Sequence, residues 1–71
     1  MNAKQKAAIK RMAADVKRSF EKSDNVGLST LNYGLKATAD VRLALAQEIG
    51  AVEISDGPSF LGYLHFTRLP V

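Results

Sequence analysis

Ile9, Met12, Ala13, Val16 and Phe20 recur at three- and four-residue spacing, and this one stripe constrains the fold more than any other feature of the chain. On a wheel of ~100° per residue the five fall within roughly ±60° of one line. Residues 3–22 therefore read as an amphipathic helix that must be covered along one side. Ala7, Ala8, Ala13 and Ala14 add helix propensity. Asp15 stands four residues after Arg11 and three before Arg18, within reach of both. Ser23, Asp24, Asn25 and Gly27 then supply a stop.

The cover has to come from only 71 residues without a single cysteine. That is one small domain, residues 1–71, with a thin core and no room for a second unit. Neither a disulfide framework nor a thiolate metal site can form, which suits a reducing, cytoplasmic setting. Small domains lacking such staples gain stability by oligomerising, so a homodimer is one expectation. Apolar residues make up 46% and charged residues 24%, the mix of a folding chain rather than a disordered tail. No apolar run approaches the ~18 residues of a membrane span, and charges interrupt the first 22 residues too often for a signal peptide.

Ser29 can cap a short second helix over residues 30–35, with Leu28, Leu31 and Leu35 on its apolar face. Thr38 offers a new N-cap and Asp40 an acid in the first turn, predicting a third helix over residues 39–49 that buries Val41, Ala44, Leu45 and Ile49. Gly50 is placed to end it. The period then changes. Residues 51–55 alternate as a strand does, Asp56, Gly57, Pro58 and Ser59 carry turn chemistry, and residues 60–69 read as the returning strand. The expected fold is α+β: three helices followed by a C-terminal β-hairpin over residues 51–69. Its core would join the first stripe to Leu31, Leu35, Val41, Leu45, Ile49, Val52, Ile54, Leu64 and Phe66.

The charge is divided unevenly. Residues 1–22 hold Lys4, Lys6, Lys10, Arg11, Lys17, Arg18 and Lys22 against Asp15 and Glu21. The remainder holds Lys36, Arg42 and Arg68 against Asp24, Asp40, Glu48, Glu53 and Asp56. A cationic first third points to an acidic partner, whether nucleic acid or a protein surface. Membrane binding is not expected, because the narrow apolar stripe is needed by the core.

The runs Leu28-Ser29-Thr30-Leu31, Thr38-Ala39-Asp40-Val41-Arg42-Leu43-Ala44-Leu45 and Ile49-Gly50-Ala51-Val52-Glu53-Ile54 together resemble a winged helix-turn-helix domain, over about residues 3–69. The resemblance implies DNA binding by a small transcription regulator of the mobile-element or phage type. It would turn Thr38, Ala39, Arg42, Leu43, Ala46 and Gln47 of the third helix towards the major groove. Arg42 and Gln47 are the residue types that pair with guanine and adenine edges. The cations, however, lie mostly on the first helix, and the hairpin tip carries Asp56 rather than Lys or Arg.

The sites expected for nucleic acid are thus Lys6, Lys10, Arg11, Lys17, Arg18, Lys36, Thr38, Arg42 and Gln47. The alternative is a non-catalytic module docking on an acidic protein, anchored by Leu43, Tyr63 and His65. No Gly-rich phosphate loop, paired-histidine motif or nucleophile elbow is present. Neither an enzymatic activity nor a cofactor or metal is expected. His65, the only histidine, lies within reach of Glu53 on a facing strand but has no catalytic setting.

Overall fold

The computed structural model describes residues 1–54 and 60–69. In chain order they form α1 (Ala3–Ser19), β1 (Asn25–Ser29), a 3-10 turn (Thr30–Tyr33), α2 (Ala39–Ile49), β2 (Ala51–Glu53) and β3 (Tyr63–Arg68). The α+β class holds, but the winged-helix-like order of three helices and a hairpin does not. There are two α-helices and a three-stranded antiparallel sheet in the order β1-β3-β2.

α1 starts at Asn2, whose side chain accepts from the Gln5 amide at 2.8 Å while Gln5 Oε1 accepts from the Asn2 amide at 2.9 Å. This reciprocal cap satisfies two of the helix's otherwise unpaired donors. α1 ends at Ser19, not at residue 22, and Phe20 follows as its C-cap. The segment expected as a second helix over residues 30–35 is a single 3-10 turn. Ser29 caps it by accepting from the Leu31 amide at 3.2 Å. Four residues closed by Gly34 are too few to sustain α-helical pairing. Thr38 does precede α2, yet its hydroxyl donates to the Asp40 carboxylate rather than capping a backbone amide. Gly50 ends α2 with φ 73°, as its position in the sequence implies.

β3 is the central strand. Val26 pairs with Phe66 and Leu28 with Leu64, so these side chains point to one face of the sheet. α1 and α2 cover that face. Met12, Val16, Leu45, Leu64 and Phe66 lie at its centre, each fully buried. Three expected core residues are instead exposed: Leu31 at 51%, Val52 at 48% and Ile54 at 53%. Val52 pairs with Thr67, and the Ile54 amide donates to the His65 carbonyl at 2.9 Å. Both side chains accordingly share the outer face of the sheet. Glu53, opposite Phe66, takes the inner phase. The turn expected over residues 56–59 lies outside the described residues.

Two side-chain locks hold the sheet to the rest. Ser29 Oγ donates to the Leu61 carbonyl, and the Thr30 amide donates to the Gly62 carbonyl at 2.9 Å. At the other end Arg68 donates to Asp24 at 2.8 Å and to the Phe20 carbonyl at 3.3 Å, tying β3 to the end of α1.

Candidate nucleic-acid interface

Because α1 buries Ala8, Ile9, Met12, Ala13 and Val16, the helical period fixes what its other side presents. Lys6, Lys10 and Lys17 fall in one row, and Lys4, Arg11 and Arg18 in another roughly 120° further round. Between the rows run Ala3, Ala7 and Ala14. All nine residues are exposed.

The surroundings of these cations differ from those elsewhere. Among the described residues, Lys4, Lys6, Lys10, Arg11, Lys17, Lys22 and Lys36 enter no ion pair. Three acids are already engaged, whereas Glu48 shares a groove with Lys6 and Lys10 without an ion pair. Asp15 pairs with Arg18 and accepts from the Tyr33 hydroxyl at 2.5 Å. Burial, then this hydrogen bond to a carboxylate, raises the Tyr33 phenol to about 12, since both disfavour its ionised form. Asp24 is held by Arg68, and Asp40 by the Thr38 hydroxyl, which lowers its carboxyl below the ordinary carboxylate value.

Two shallow grooves flank α1. Lys6 and Lys10 line the first with Ile9, Ala44, Gln47 and Glu48, so the structure brings these two sequence-predicted lysines next to Gln47 of α2. Arg11 lines the second with Lys4, Tyr33, Gly34 and Leu35. Lys4 was not among the expected contacts. Its signal is plain in hindsight, for it lies seven residues, or two turns, before Arg11.

The other expected residues are not gathered there. Arg42 is turned to β2, where Nε donates to Glu53 Oε1 at 2.9 Å and Nη2 to Oε2 at 2.6 Å. The Glu53 carboxylate raises the Arg42 pKa and fixes its planar fork against the sheet. Glu53 is therefore not the partner of His65, which lies on the opposite face. Lys36 and Thr38 stand exposed in the loop before α2. The free face of α2 shows Ala39, Asp40, Leu43 and Gln47, with no cation among them. Leu43 is 60% exposed and lines neither groove. Tyr63 and His65 share the outer face of the sheet, stacked with ring centroids 5.9 Å apart, and the His65 ring lies over Gly27.

Among the described residues no set of three or more His, Cys, Asp or Glu is placed to hold a metal ion, and no helix is long and apolar enough to cross a membrane. Comparison with protein families, curated proteins and solved structures returns no match for this chain. The geometry alone carries the functional reading.

Proposed function

We propose that the chain binds nucleic acid through its phosphate backbone, with α1 as the contact element. The observation that carries this reading is the set of five exposed cations without an ion pair, Lys4, Lys6, Lys10, Arg11 and Lys17, gathered on one helix, whereas Arg18, Arg42 and Arg68 are each paired with an acid. A surface serving solubility alone intersperses both signs. Here one helix face carries positive charge, with Asp15 and, across the groove, Glu48 at its margins, the footprint of sequence-independent phosphate binding. Base reading by Arg42 is not part of the proposal, because Glu53 holds the Nε–Nη2 edge of its guanidinium against the sheet.

Five contacted phosphates imply a log–log salt slope of about −4.5 on duplex DNA, hence a fall of roughly 500-fold in affinity between about 50 and about 200 mM salt. Fluorescence anisotropy with a short mixed-sequence duplex reads this directly. Lys10→Gln and Arg11→Gln should each flatten the slope by about one, while Lys36→Gln leaves it unchanged. Absence of binding at the lower salt would refute the reading and assign the lysines to an acidic protein. In that event the exposed Leu43 and Tyr63 become the anchors to test.

A further inference from the structure

Resting on that reading, we infer that α1 lies lengthwise in the major groove of B-form duplex DNA, its two cationic rows reaching the phosphates of opposite strands. The argument begins with the separation of the rows. On a helix ~10–12 Å across, side chains roughly 120° apart around the axis are held about 10 Å apart before their flexible ends extend outward. The major groove is ≈ 12 Å wide and the minor groove ≈ 6 Å. Only the former admits the helix with a phosphate wall on each side. Lys6, Lys10 and Lys17 would face one wall; Lys4 and Arg11 the other, with Arg18 of that row held by Asp15.

The line between the rows decides how closely the helix approaches. Ala3, Ala7 and Ala14 leave nothing longer than a methyl there, so the cations flank the helix rather than hold it off the groove floor. Those positions offer no side-chain hydrogen bond to base edges. Recognition is consequently of duplex shape and charge, not of sequence.

Other nucleic acids fit this face less well. Single strands are held by aromatic platforms inside a cationic track. The exposed aromatic pair Tyr63 and His65 sits on the outer face of the sheet, whereas α1 covers its inner face. Double-stranded RNA has a deep, narrow major groove that does not admit such a helix. A protein partner would need a large apolar or aromatic anchor on the same face, and the exposed arc of α1 contains only alanines and charges.

The test compares four probes at one low salt concentration: a mixed-sequence DNA duplex, the same duplex with its cytosines glucosylated through a 5-hydroxymethyl group so that the major groove is filled, its single strand, and the matching RNA duplex. The unmodified DNA duplex should bind at least ~10-fold more tightly than each of the others. Ala7→Leu with Ala14→Leu, both exposed helical positions, should weaken that duplex by a similar factor without loss of helical circular dichroism. Equal binding of the groove-filled duplex, or an unaltered duplex affinity in the folded leucine variant, would overturn groove insertion while leaving phosphate binding intact. Failure to bind any of the four would overturn both.

Discussion

Gly62 offers the sharpest test of the packing, because two separate costs meet there. Its φ is +71°, in the left-handed region, and a Cβ built on it falls far inside 3.0 Å of Thr30 Oγ1. Thr30 is fully buried, and its hydroxyl has no hydrogen-bond partner among the described residues. The side chain cannot swing into solvent to make room. Gly50 separates the two costs, since its φ is +73° but nothing lies within 4 Å of its would-be Cβ. Gly50→Ala therefore incurs left-handed strain alone, ~1–2 kcal/mol. Gly62→Ala adds overpacking of ~1–3 kcal/mol, for a total of roughly 2–5 kcal/mol. Against the ~4–10 kcal/mol expected of a chain this size, that loss removes about a fifth or more of the stability. Urea unfolding followed by far-ultraviolet circular dichroism measures both variants. In a Thr30→Ala background the cost of Gly62→Ala should drop to the Gly50→Ala level, a coupling of at least ~1 kcal/mol. Equal costs for the two glycines in the wild-type background, or no relief from Thr30→Ala, would refute the close approach of β3 to the 3-10 turn.

Two further perturbations probe the ion pairs and the buried phenol. Arg42→Ala removes a bidentate partner from Glu53, whose side chain is only 13% exposed, and should destabilise the domain by ~1–3 kcal/mol in urea unfolding. At matched folded fraction it should not change DNA affinity, and a selective affinity loss would restore Arg42 as a base reader. Tyr33, raised from 10.0 to about 12 by folding, keeps its proton in the folded state after the unfolded chain has lost it. Its contribution to stability is whole below pH ~10 and is lost as pH rises towards ~12. Tyr33→Phe should abolish that alkaline loss together with the latest phenolate absorbance step. Persistence of both in the variant would show that another group titrates there.

The parts of the fold legible in the sequence are those governed by local period. The stripe of α1, the stop at Gly50 and the inward phase of Leu64 and Phe66 all follow from spacing within one element. β1 does not. Its five residues, Asn25–Ser29, include Asn, Gly and Ser and carry little strand preference. They become a strand because Val26 and Leu28 meet Phe66 and Leu64, some forty residues away in sequence. β2 shows the opposite failure. Its alternation is plain, but the phase is set by pairing, and a one-residue shift exchanges the faces. Apolar character alone assigns Val52 and Ile54 to the core, whereas register with β3 puts Glu53 on that side.

The same inversion explains why the candidate site was only half legible. Glu53 on the inner face needs a charged partner, and Arg42 on α2 supplies it. The arginine that looks most like a base reader in a helix-turn-helix is thereby spent on holding β2 to α2. Arg68 is spent likewise on Asp24 and the Phe20 carbonyl. Pairing in the second half of the chain thus occupies both of its arginines, which the sequence could not reveal because each pair joins separate elements whose docking is not set by local period. Among the cations it leaves without an ion pair are those whose rows were readable from periodicity alone, Lys4, Lys6, Lys10, Arg11 and Lys17. Under the proposed phosphate binding the contact surface is α1 rather than α2, for an electrostatic reason. Desolvating the partly buried Arg42–Glu53 pair is compensated only while the pair stays closed, whereas exposed helical lysines can exchange hydration for phosphate with little rearrangement of the fold.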